Sequence, residues 1–269
     1  MPLMTIPDGT RLYYEVEGDG EPLLLVSGQR QDHTFWDGVR DDFADRYRVI
    51  VYDHRGTGRS DKPAAPPYST RGFARDAVTL LDQVGVARAH AYGHSMGGRI
   101  CQWLGIDRGE RIGALVLGAT TPGGAPAVPR SAEADALWLH PPTDSQAALL
   151  ALGALFWSPA WIEAHPDTVK RVMQVPPLPD YARLLHYQAS EGHDAWDLLP
   201  TIRAPTLVIH GSEDRLNPTA NAFLLAKRIP GAELYLVEGG RHFYPHEFRE
   251  EAGRVVNAFL ARHPLSSLS

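Results

Sequence analysis

Gly93-His94-Ser95-Met96-Gly97 lies between the run Ala89-His90-Ala91-Tyr92 and an amphipathic stretch that reaches Gly105, so these five residues read as a sharp turn from a β-strand into an α-helix. A serine at the tip of such a turn is held in a strained conformation with its hydroxyl projecting outward. Small residues at 93 and 97 let strand and helix approach without a clash. A G-x-S-x-G match alone occurs by chance in a Gly-rich chain, and it is the strand-to-helix placement that gives it weight. The competing reading is an ordinary serine capping a helix.

Working outward, residues 3–16 read as two strands around Pro7-Asp8-Gly9, and 22–26 as a buried strand after the turn Gly18-Asp19-Gly20. Phe35, Trp36, Val39 and Phe43 fall at helical spacing, followed by a strand at 48–52, a helix at 71–84 and the strand that feeds the serine turn. A helix at 97–105 and a strand at 112–117 continue the alternation. It resumes with a strand at 206–210, a helix with Asn217 as N-cap and Pro218 at its first position, and a strand at 233–237. Phe248, Ala252, Val255, Val256 and Phe259 then mark one face of a last helix. Repeated β-α-β units predict an α/β fold: a mostly parallel central sheet flanked by helices.

The alternation stops between 122 and 200, where four of the six Trp (Trp138, Trp157, Trp161, Trp196) and four of the twelve His fall on helical patterns. The expected organisation is a core domain of residues 1–121 and 201–269 with a helical cap inserted at 122–200. Large aromatics also pack small domains against larger ones, so these Trp residues fit either a pocket roof or a packing face. Trp138, Phe156, Trp157, His186, Tyr187 and Trp196 are the candidates for lining a substrate pocket, and they suit a bulky apolar or aromatic group.

A serine hydroxyl is a weak nucleophile and needs a base within hydrogen-bond reach, which itself needs a group to fix its tautomer. His210-Gly211-Ser212-Glu213-Asp214 runs off one late strand and Gly239-Gly240-Arg241-His242 off the next, so both loops emerge at the carboxyl edge of the sheet, where the serine turn sits. The order Ser95, Asp214, His242 is that of nucleophile, acid and base on such a sheet. His94 and His246 are weaker candidates for the base, and Glu213 for the acid; Asp53 is expected to be structural. Acyl transfer also creates an oxyanion, for which the N–H groups of Met96 and Gln29 are the expected donors, with Gly28 supplying unusual backbone geometry.

The 269 residues are 43% hydrophobic with a net charge of −6 and a pI near 6.0, which leaves no basic face for nucleic acid. The single Cys101 excludes an internal disulfide and a multi-thiolate metal site. His54-Arg55-Gly56-Thr57-Gly58-Arg59-Ser60 is Gly-rich but lacks dinucleotide or P-loop spacing, so neither cofactor nor metal is expected. The N-terminus shows no signal-peptide pattern and no run is long enough to span a membrane, which predicts a cytoplasmic protein whose partner is a small-molecule substrate.

Over essentially its whole length the chain resembles the α/β-hydrolase family, through Gly93-His94-Ser95-Met96-Gly97-Gly98, Tyr52-Asp53-His54-Arg55-Gly56-Thr57-Gly58-Arg59-Ser60, the loop ending in Asp214, and Gly240-Arg241-His242. It is similar to small capped esterases and lactonases, including 3-oxoadipate enol-lactonases and polyketide methylesterases. That resemblance implies hydrolysis of a carboxylic ester or lactone through an acyl-enzyme, with no cofactor. The same constellation also serves carbon–carbon bond cleavage, acyl transfer, perhydrolase and biosynthetic cyclase or lyase reactions, and ligand receptors with a vestigial triad. Serine at 95 speaks against dehalogenases and epoxide hydrolases, which carry Asp there. Ser27-Gly28 replaces the family's common His-Gly. Arg241 replaces a small residue, which makes it either a spacer or a contact to an acidic substrate.

Overall fold

The chain forms eight strands, several of them short runs of Leu, Val and Ile: β1 (Leu3–Thr5), β2 (Arg11–Glu17), β3 (Glu21–Val26), β4 (Tyr47–Tyr52), β5 (Ala89–His94), β6 (Ile112–Gly118), β7 (Thr206–Gly211) and β8 (Glu233–Val237). The computed structural model describes residues 2–65, 68–140, 142, 145–173 and 178–265. The strands make one sheet in the order β1-β2-β4-β3-β5-β6-β7-β8, parallel from β4 to β8 and antiparallel where β2 meets β1 and β4. Every residue of β5, β6 and β7 is buried, as expected of strands covered on both faces. Successive side chains of β3 alternate between two cores: Leu24 packs with Phe73, Ile100 and Leu104, whereas Leu23 and Leu25 pack with Trp36, Val116 and Phe259.

The chain leaves β3 for β4 on one side and later returns to β5 on the other, so the strand order reverses at β3. The crevice beyond the carboxyl ends of β3 and β5 is therefore the natural place for a ligand, and Gly28 and Ser95 both lie there.

Two local expectations are corrected. The segment holding Phe35, Trp36, Val39 and Phe43 is not one helix but a 3-10 turn, His33–Trp36, and a single helical turn, Asp41–Ala44, separated by Gly38 at φ 81°. All four apolar residues are buried, so their spacing reported burial while the left-handed glycine broke the helix. The helix after β7 is Ala220–Arg228 with Thr219 at its N-cap, two residues later than expected, because Asn217 is engaged by the acid loop described below.

Between β6 and β7 the described residues form the helices Ala132–Leu139, Ser145–Phe156, Pro159–Ala164, Pro166–Met173 and Asp180–Glu191 and a 3-10 turn, Trp196–Thr201. Positions 141, 143–144 and 174–177 of the expected insertion lie outside the described residues. No described helix is long and apolar enough to cross a membrane.

Candidate active site

Ser95 sits at φ 58°, ψ −119° between β5 and the helix Met96–Asp107, the strained position expected at the tip of the turn. The two flanking glycines are steric requirements. A Cβ at Gly93 would fall 2.2 Å from the Gly97 carbonyl oxygen, and one at Gly97 would fall 2.0 Å from that of Val26. The Ser95 N–H donates to Gly118 O (2.8 Å) and the Thr120 hydroxyl donates to Ser95 O (2.7 Å), so β6 and the loop after it brace the turn.

The Ser95 hydroxyl is 3.0 Å from Nε2 of His242, whose Nδ1 is 2.8 Å from Oδ2 of Asp214. With Nδ1–H donating to the carboxylate, Nε2 is the acceptor that faces the serine. Asp214 Oδ1 accepts the N–H groups of Leu216 (2.9 Å) and Asn217 (2.8 Å), and His210 Nε2 lies 3.2 Å from Oδ2. Burial alone would raise the Asp214 pKa, but the facing charge of His242 and hydrogen bonds from His210 and His242 outweigh it and hold the carboxyl well below its usual range.

This strand order, strained serine and hydrogen-bonded chain of three side chains coincide with a match of residues 21–248 to the alpha/beta hydrolase fold family. The chain belongs to that family. It is 32% identical over 262 residues to a Caulobacter sp. (strain K31) protein named as the carbamate hydrolase RutD, covering 93% of this chain and 96% of that one. Among solved structures it is similar to Est816, described as an N-acyl homoserine lactone degrading enzyme (31% identity, TM-score 0.79, 96% and 100% of the two chains). It is also similar to the enol-lactonase of Burkholderia xenovorans LB400 (25% identity, TM-score 0.83, 97% and 100%). The family and these names support hydrolytic activity.

In this alpha/beta hydrolase the remaining candidates separate cleanly. His94 is buried and donates from Nε2 to the backbone carbonyl of His242 (2.8 Å), which makes it a brace for the neighbouring loop. His246, expected at the surface, is largely enclosed and donates to Phe35 O (2.9 Å). Glu213 is exposed and points toward Arg241 at 3.7 Å. Asp53 accepts the N–H groups of His33 and Arg59 and the ring of His33, which is a structural role.

Met96 is the first residue of its helix, so its N–H has no acceptor within the helix, and Gln29 lines the cavity beside Ser95. The positive φ expected near Gly28 falls instead on Arg30 (65°). Gly28 is needed for proximity, since a Cβ there would lie 3.3 Å from that of Ser95. Ser27 closes the loop by donating to Asp32 O (3.0 Å), and His54 Nε2 donates to Ser27 O (3.0 Å).

The cavity at Ser95 and His242 is narrow, about 40 Å³, with Trp138, Phe156, Leu216 and Phe243 on its apolar side. The other expected lining residues are placed elsewhere. Trp157 is fully buried against Trp161 and Phe243; His186 stacks on Phe73 and donates to Arg55 O (2.8 Å). Trp196 lies under the Arg228 guanidinium, and Tyr187 is not part of the lining. Arg241 is neither a free spacer nor a wall of this cavity. It donates to Ala154 O (2.7 Å) and Trp157 O (3.0 Å), and with the Phe243 N–H on Phe156 O (2.9 Å) it stitches the His242 loop to the helical segment.

Sequence reasoning missed the polar side of the cavity, formed by Arg99, Arg130, Ser190, Glu191 and Asn217. The available signal was an arginine one helical turn after Ser95, in a helix that has to be buried. Burial lowers the Arg99 pKa to about 10, reinforced by the like charge of Arg130 and opposed by Glu191.

Among the described residues, Asp32, His33 and Asp53 come closest to a metal-ligand set. His33 Nδ1 already hydrogen-bonds Asp53 Oδ1, and Asp32 Oδ1 accepts from the N–H and hydroxyl of Thr34, so the group reads as a loop brace.

Proposed function

We propose that this chain is a serine hydrolase that cleaves a carboxylic ester or lactone of a small, apolar or aromatic substrate through an acyl-enzyme. The observation that carries this reading is the continuous chain from the Ser95 hydroxyl through His242 to Asp214, with separations of 3.0 and 2.8 Å. Ser95 attacks the carbonyl as His242 takes its proton, and Asp214 holds the imidazole and stabilises its charged form. The N–H groups of Met96 and Gln29 receive the oxyanion. His242 then returns the proton to the leaving alcohol and activates water for deacylation. The helices between β6 and β7 act as a cap whose Trp138 and Phe156 face the acyl group, and no cofactor takes part. The lactone-cleaving neighbours support this choice of bond, and the absence of any membrane-spanning helix among the described residues is consistent with work in the cytoplasm.

The test is turnover of short p-nitrophenyl esters and a small lactone. Wild type is expected to release free acid, and Ser95→Ala to lose activity by roughly 10⁴-fold or more. Retained turnover in Ser95→Ala, or transfer of the acyl group to an acceptor other than water, would contradict the reading.

A further inference from the structure

The polar side of the Ser95 cavity contains a buried cation whose hydrogen bonds go only to neutral groups. Arg99 is 7% exposed and lies in the first turn of the helix Met96–Asp107, four residues after Ser95 at its N-cap. Its Nη1 donates to the carbonyl and hydroxyl of Ser190, and Nη2 is 3.5 Å from Asn217 Oδ1; Nε has no hydrogen-bond partner. Among the described residues no carboxylate lies within ion-pair distance of it. Arg130, on the same cavity, differs: it is paired with Asp135 at 2.7 Å and Glu191 at 3.2 Å. Glu191 is thus committed to Arg130, and it favours the Arg99 charge only from further away.

Enclosing a guanidinium with neutral acceptors alone is costly, and an anionic group that reaches it recovers much of that cost through charge-assisted hydrogen bonds. Arg99 also stands where the cavity at Ser95 meets a larger groove of about 460 Å³; the two share Arg99, Arg130, Ser190, Glu191, Leu216 and Asn217 in their walls, with the Glu191 carboxylate held by Arg130. A substrate that spans the two passes this side chain.

We infer that Arg99 is a specificity residue that binds a carboxylate carried by the substrate about one helical turn from the scissile carbonyl. This deepens, and rests on, the ester or lactone hydrolase reading. The substrate is then two-sided: apolar surface against Trp138, Phe156 and Phe243, and an acidic group on Arg99. A purely structural Arg99, tying the Met96–Asp107 helix to Ser190, needs no charge and predicts no preference among substrates.

The experiment compares kcat/KM for two matched pairs, each a carboxylate and its methyl ester: mono-p-nitrophenyl succinate, with the acid on the acyl side, and 4-acetoxybenzoate, with it on the leaving group. In wild type the carboxylate member of at least one pair is expected to be favoured about tenfold or more, and that ratio to fall about tenfold in Arg99→Met while Arg99→Lys retains part of it. Preference for the neutral member in both pairs, or an unchanged ratio in a folded Arg99→Met, overturns the inference. Should Arg99→Met not fold, the wild-type ratios decide alone. A binding arm separates this inference from the parent reading: succinate is expected to raise the melting temperature of wild type and to protect Ser95 from a phosphonate probe. If no ester is turned over yet succinate stabilises the protein, the hydrolase reading fails and the anion site stands. If esters are turned over but no carboxylate preference or succinate effect is found, the anion site fails and the hydrolase reading stands.

Discussion

His94 Nε2 lies 2.8 Å from the backbone carbonyl oxygen of His242, so the variable residue of the serine turn fixes the main chain of the residue that faces the serine. The two imidazoles also meet edge to face at 5.0 Å between centroids. Replacing His94 by Leu removes the donor and leaves a buried carbonyl unpaired, which lets the His242 ring drift from Ser95. The expected outcome is a kcat lower by about tenfold to a hundredfold and a lower melting temperature. Steady-state kinetics beside a thermal melt checks it, and an unchanged kcat contradicts it.

The positive φ of Ser95 predicts a trade of stability for function. Ser95→Gly relieves the Cβ strain that Ser95→Ala keeps, so of these two variants the glycine is expected to be the more stable by about 1 kcal/mol. Denaturant titration of the pair measures the difference. Equal stability, or a more stable alanine variant, contradicts stored strain at this position.

Arg241 predicts a coupling between the His242 loop and the helical segment. Arg241→Ala deletes its hydrogen bonds to the carbonyls of Ala154 and Trp157, which flank Phe156 on the cavity wall. A destabilisation of about 1–3 kcal/mol and a raised KM are expected. Hydrogen exchange should quicken at residues 150–157 in the variant. Exchange confined to wild-type rates there contradicts the stitching role.

Acid sensitivity follows from two buried histidines. Burial pushes His54 down to about 4 and His186 down to about 3, from an ordinary value of 6.5. Their folded pKa values lie below the unfolded ones, so between those limits the unfolded chain binds more protons than the folded one. Their contribution to stability is therefore complete above about pH 6.5 and is lost as pH falls toward 4 and below. Melting temperatures across this range should fall steeply, and more shallowly in His186→Phe. A flat profile contradicts it.

Much of the site was legible in the sequence because each part is fixed by local geometry. The serine turn needs Gly93 and Gly97 for contacts within a few residues, and Asp214 and His242 stand directly beyond the ends of β7 and β8. The pocket wall was harder to read because its members are chosen by how helices far apart in sequence pack. Trp157 and His186 carry the right chemistry but are turned into the cores beneath the helical segment, against Phe243 and Phe73. Arg99 escaped notice for the opposite reason: a charged residue in a buried helix looks like an exposed position until the fold encloses it. The first helical pattern, at Phe35 to Phe43, failed because Gly38 at positive φ breaks a helix that apolar spacing alone suggests.

The central claim is that His242 and Asp214 activate Ser95. It is tested most directly by mass-spectrometric mapping of a fluorophosphonate probe on wild type, Ser95→Ala and His242→Ala, with folding of each checked by circular dichroism. The account predicts one adduct, on Ser95, in wild type and none at that position in either variant. A folded wild-type protein that resists the probe, or a His242→Ala variant labelled at Ser95 as fast as wild type, would contradict it.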